Sequence, residues 1–69
     1  MQKYELTKTI EAIKLNKRTL RPLGPDKFTI PYGSVISDVT EERDRRKFFY
    51  LGEPYECDEL VIGTALKEL

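Results

Sequence analysis

Between residues 28 and 57 the chain reads FTIPYGSVISDVTEERDRRKFFYLGEPYEC, three short apolar runs broken twice by turn-forming residues. The polar stretch at residues 41–44 ends the first run, and Gly52 with Glu53 ends the second. Runs of this length, rich in Val, Ile, Phe and Tyr and bounded by Gly and acidic residues, predict two successive β-hairpins. Taking Gly52 and Glu53 as a two-residue type II′ turn sets the pairing of the second hairpin. Leu51 then faces Pro54, Tyr50 faces Tyr55, Phe49 faces Glu56, Phe48 faces Cys57 and Lys47 faces Asp58. Cross-strand partners share a face, so Phe48, Tyr50, Tyr55 and Cys57 form the core side. Lys47, Phe49, Leu51, Pro54, Glu56 and Asp58 form the outer side. For the first hairpin, placing Val35 and Val39 in the core requires an even-numbered loop at residues 41–44. Val35 then faces Tyr50, Ser37 faces Phe48, and Ile36 falls on the outer side opposite Phe49. Ile36, Phe49 and Leu51, with Pro54, become an outward apolar patch, the kind of surface that marks a contact site.

The flanks follow from the same patterning. Residues 3–15 place Tyr4, Leu6, Ile10 and Ala12 on one parity, which is strand-like, and Ile13 and Leu15 on the other. A bulge or bend at Ala12 and Ile13 reconciles the two; a short helix over residues 9–16 is the competing reading. Residues 16–26 contain Pro22, Gly24 and Pro25 and read as a loop, held down by Leu20 and Leu23 turned inward. A short strand at Phe28 and Ile30 leads to a turn at Pro31, Tyr32 and Gly33. After Cys57, Asp58 is of helix N-cap type, and Val61, Ile62, Ala65, Leu66 and Leu69 have one-face helical spacing. Gly63 weakens such a helix by roughly 1 kcal/mol, so a single turn at residues 59–62 followed by a last strand at 64–69 is equally open.

Five short strands in this loop order resemble the SH3-like small β-barrel. Residues 16–26 match its long first loop, residues 41–44 its second, Gly52 and Glu53 its distal hairpin, and residues 59–62 its helical turn. The chain has no tryptophan and no ALYDY-like run, so the resemblance does not imply proline-rich peptide recognition. It is closer to the bacterial SH3-like domains, whose functions vary. The expected fold is mainly all-β: one domain over residues 1–69, a five-stranded SH3-like barrel with a short C-terminal helical turn or helix.

Composition limits the chemistry. With 69 residues, a single cysteine and no histidine, a disulfide within the chain and a Cys/His zinc site are both excluded. Cys57 reads as an apolar filler on the core face, without a histidine to activate it. The carboxylates Glu41, Glu42 and Asp44 lie beside Arg43, Arg45 and Arg46, a solvated arrangement rather than a desolvated acid–base pair. Glu56, Asp58 and Glu59 could offer oxygens to calcium, but without an EF-hand loop they read as a helix cap and surface acids. No enzyme, cofactor or metal is expected. A lone cysteine, no signal-peptide core and no apolar run of spanning length point to a cytoplasmic protein with no membrane partner.

Net charge is zero but unevenly placed: residues 1–27 hold seven bases and three acids, and residues 28–69 hold five bases and nine acids. Lys14, Lys17, Arg18 and Arg21 form a basic cluster with no acid among those residues. The expected function is a small non-enzymatic binding module acting by protein–protein interaction through Ile36, Phe49 and Leu51, with a second copy or a different protein as partner. The alternative is a nucleic-acid-binding barrel using Lys14, Lys17, Arg18 and Arg21, with Phe49 and Tyr32 as stacking groups. No small-molecule substrate is expected.

Overall fold

The computed structural model describes residues 2–69. Seven strands, β1 (Lys3–Leu6), β2 (Ile10–Leu15), β3 (Pro22–Ile30), β4 (Val35–Glu42), β5 (Arg45–Tyr50), β6 (Glu53–Asp58) and β7 (Leu66–Glu68), surround one short helix, α1 (Glu59–Ile62). They form a single antiparallel sheet in the order β3-β2-β6-β5-β4-β1-β7. The protein is mainly β, as the patterning predicts. The count and closure differ from the expected five-stranded barrel: there are seven strands, and the sheet is open, with β3 and β7 as its edges.

Two events raise the count. Residues 3–15 divide at Thr7–Thr9, and the irregularity expected at Ala12 and Ile13 falls beside it, as a register shift against β3 between Ile13 and Leu15 that changes the buried parity from Ile10 and Ala12 to Leu15; the competing helix does not form. β1 pairs with β4 and β7, whereas β2 pairs with β3 and β6. The break is tied down by backbone bonds from Thr7 N to the Ala65 carbonyl at 2.8 Å and from Gly33 N to the Leu6 carbonyl at 2.9 Å. The tail then adds β7 beside β1. Of the two C-terminal readings, the single turn followed by a strand is the one that forms. Gly63, at φ +41°, ends α1, and Ile62 and Ala65 are buried. Asp58 stands at the N-cap position with no backbone N–H donating to its side chain; its carboxylate accepts from Arg45 Nη1 at 3.2 Å.

The core is one cluster of Leu6, Ile10, Ala12, Ile30, Ile36, Phe48, Tyr55, Cys57 and Ile62. The second hairpin keeps its expected faces, although its turn is displaced. Tyr50 pairs with Glu53, so Leu51 and Gly52 form the turn, and Phe48 pairs with Tyr55. Both turn residues have positive φ, +52° and +80°, the backbone signature of a type I′ turn. The register moves by two residues, and a shift of two leaves every side chain on its own face.

On β4 the faces differ from those the patterning predicts. Ile36 pairs with Tyr50 and Ser37 with Phe49, but beyond the irregularity Thr40 pairs with Lys47. One extra residue on β4 lies opposite Phe48, and Asp38 there takes φ +54°, the left-handed geometry of a one-residue bulge. The bulge reverses the parity of everything before it. Ile36 therefore enters the core at 0% exposure while Val35 is left exposed, and Val39 still packs against the core. The connecting loop is correspondingly shorter than expected. Glu42 pairs with Arg45, leaving a two-residue turn of Arg43 and Asp44.

Candidate interaction surface

The outward patch of Ile36, Phe49 and Leu51 is not assembled. Ile36 is in the core, Phe49 is half-buried, and Leu51 stands 82% exposed at the tip of the β5–β6 hairpin. Pro54, opposite Phe49, is fully buried. The C-terminal tail supplies α1, which joins the core through Ile62, and the edge strand beside β1.

Two exposed large apolar side chains, Leu23 and Phe28, lie on β3, an edge strand. Eight of its nine residues are exposed, Ile30 alone being buried, and its outer edge pairs with no strand among the described residues. The sequence at 22–26 does not prevent a strand here. Pro22 pairs with Leu15 and Lys27 with Ile13, so residues 23–26 loop outward as an enlarged bulge between two paired ends. Leu23 on that excursion is 59% exposed and Phe28 47%. They border a shallow pocket of about 140 Å³ completed by Lys14, Gly24 and Asp26, too small to enclose a drug-sized ligand. Phe28 meets Tyr55 edge-on at 6.2 Å, and Tyr50 lies 6.1 Å from the same ring. An aromatic row thus runs from the core to this edge. The sequence marks Phe28 only as a strand residue. Its exposure depends on β3 having no second neighbour, which no local pattern records.

The basic loop is built locally. Asn16 Oδ1 accepts from Arg18 N at 2.7 Å and Thr19 N at 3.2 Å, and Asn16 N donates to the Arg21 carbonyl at 2.8 Å. With the loop closed by Asn16, Leu20 and Leu23 need not turn inward, and both point to solvent. Leu20 holds φ +58°, which costs a leucine about 1 kcal/mol relative to the right-handed region. Lys17 pairs with Glu53 at 3.4 Å, joining this loop to the β5–β6 tip. Lys14, Arg18 and Arg21 form no ion pair among the described residues. Neither expected stacking group stands with them. Phe49 pairs with Pro54 on β6, and Tyr32 is exposed in the 31–34 turn, where its backbone donates to Thr9 Oγ1 at 3.0 Å.

The three consecutive bases of β5 are neutralised. Arg45 contacts Glu56 at 3.4 Å and Asp58 at 3.2 Å. Arg46 contacts Glu59 at 3.1 Å and Glu41 at 3.8 Å, and Lys47 contacts Glu42 at 2.8 Å. Partial burial works against the Arg45 charge, but the hydrogen bond and charge of Glu56, helped by Asp58, hold its pKa above the usual guanidinium value. The Lys47 hydrogen bond and charge hold the Glu42 carboxyl below its usual value. The carboxylates at 56, 58 and 59 therefore face arginines rather than a common point. Cys57 is buried beside them, and burial pushes its thiol up to about 11, the opposite of what a nucleophile requires.

No protein-family model, curated protein or solved structure matches this chain.

Proposed function

We propose that the protein is a non-enzymatic binding module acting through protein–protein contact, and that its partner is a second copy of itself, paired edge to edge along β3. The observation that carries this reading is the open β3 edge, with Leu23 and Phe28 exposed beside it. The regular part of that strand, residues 27–30 beyond the outward excursion, presents free backbone donors and acceptors to another strand. Antiparallel pairing of β3 with its copy about a two-fold axis makes a closed, self-complementary contact and brings the two Phe28 rings under mutual cover. A 69-residue chain buries a smaller share of its surface alone than a larger domain does, and gains stability from such a contact. The resemblance to SH3-like barrels remains part of this proposal. Loop order supports it, and the open sheet is the departure from it. A cytoplasmic setting, suited to a lone reduced cysteine, belongs to the same reading.

Light scattering across a dilution series tests it. A species of about 16 kDa, twice the chain mass of 8.1 kDa, that dissociates on dilution is expected. Phe28→Asp and Leu23→Asp are both expected to give monomers with intact far-UV circular dichroism; Leu23 lies outside the core cluster, so its variant separates lost pairing from lost folding. A monomer at every concentration overturns the self-pairing.

A further inference from the structure

Two loop tips stand side by side at one end of the sheet. β2 runs out beside β6, Lys14 opposite Tyr55, so the loop after Leu15 and the turn before Glu53 are neighbours, and the Lys17–Glu53 ion pair at 3.4 Å links them. Each tip carries a leucine in the left-handed region, Leu20 at φ +58° and Leu51 at φ +52°. Among the described residues, the other two non-glycine residues with positive φ are polar, Asp38 in the β4 bulge and Arg43 in the β4–β5 turn. Leu51 combines two unfavourable choices. A type I′ turn favours Asn before Gly, yet position 51 holds a leucine that is 82% exposed to water. Leu20 repeats the pattern at 38% exposure. Residues 14–23, which include the first tip, contain Lys14, Lys17, Arg18 and Arg21 and no acid.

We propose that this end of the molecule docks on an anionic lipid surface, with Leu20 and Leu51 entering the boundary between headgroups and acyl chains and Lys17, Arg18 and Arg21 lying among the headgroups. An apolar tip flanked by Lys17, Arg18 and Arg21, with a second apolar tip joined to it through the Lys17–Glu53 pair, matches the two layers of an anionic bilayer face, apolar beneath and negative above. Leucine has no π-face on which a base could stack, which sets this surface apart from a single-strand nucleic-acid groove. Two separate protruding tips also suit a deformable apolar medium better than a rigid partner, which would need a matching cavity for each. The absence of a spanning run speaks only to crossing: no helix among the described residues is long and apolar enough to cross a membrane, and surface docking requires none.

Sedimentation with vesicles of phosphatidylcholine and phosphatidylglycerol in equal parts, against phosphatidylcholine alone, tests this. The full chain is expected to sediment with the anionic vesicles only. The triple variant Lys17→Glu, Arg18→Glu, Arg21→Glu is expected to lose about a hundredfold in partitioning. Leu51→Asn is the sharper variant, because it supplies the preferred Asn-Gly turn. It is expected to raise the melting temperature while lowering partitioning about tenfold. Since the chain has no tryptophan, Leu51→Trp gives a clean reporter whose emission should shift to the blue on anionic vesicles. Partitioning unchanged by Leu51→Asn, no difference between the two vesicle types, or retention by a single-stranded oligonucleotide without retention by vesicles would each overturn the proposal.

Discussion

The chain has two dense basic clusters, and the fold treats them in opposite ways. Arg45, Arg46 and Lys47 are consecutive on β5, and each is matched by carboxylates from a neighbouring strand or from α1. Lys14, Lys17, Arg18 and Arg21 surround one loop and have a single partner between them, Glu53. In sequence the β5 run looks at least as strong a basic site, three cations in three residues. In space it is an ion-paired face that bridges the hairpins and ties them to α1, with the backbone bond from Glu59 N to the Asp44 carbonyl at 2.8 Å alongside. A run of charge becomes a binding surface only where the fold leaves it without counter-charges. That is the case at the open end of the sheet and not at its middle.

The largest test of this contrast is Arg46→Glu. It places a carboxylate where a largely buried guanidinium now meets Glu59 and Glu41, and should destabilise the protein by about 3 kcal/mol, read as a lower urea midpoint. A change no larger than that of a surface substitution would mean the paired face is not structural. Next in size is a pH effect at Cys57, which is buried behind the same face. Its thiol is pushed up from 9.0 to about 11 by burial, so the folded state keeps the proton longer than the unfolded state. The associated stability is complete below pH 9 and is lost as pH rises toward 11, by roughly 2 kcal/mol. Urea midpoints should fall across that window in the native chain and more shallowly in Cys57→Ala. The smallest effect belongs to the other cluster. The triple Glu variant at 17, 18 and 21 should shift stability by about 0.5 kcal/mol or less, while removing the charge on which lipid docking depends. A loss comparable to that of Arg46→Glu would erase the contrast.

Particular residues show where the patterning is legible. Phe48, Tyr55 and Cys57 alternate with Lys47 and Glu56, and they occupy the expected faces even though the turn lies one residue earlier than Gly52 and Glu53 suggest. Alternation tolerates that error because a register shift of two preserves the face. It does not tolerate a shift of one, and Asp38 introduces one. Aspartate adopts the left-handed region more readily than most residues, but nothing in the string VISDVTEE announces that it does so here. The expected outward patch depends on Ile36, and that single inserted residue turns Ile36 into the core. On the basic loop, the acid-free cluster was visible in the sequence. The left-handed backbone of Leu20 on that loop, and of Leu51 on the neighbouring β5–β6 turn, is not legible there, because backbone angles depend on the turn each residue occupies.

By itself the sequence determined the local chemistry: strand-forming runs, turn positions, a lone cysteine without an activating histidine, and an acid-free basic segment. All of these follow from residue type and spacing within a few positions. Tertiary structure decided what is exposed and what is paired. It chose Ile36 over Val35 for the core, left β3 at the edge, assigned carboxylates to the β5 bases and withheld them from most of the basic loop. Those outcomes come from contacts between strands distant along the chain, where one bulged residue or one missing neighbour reverses a face.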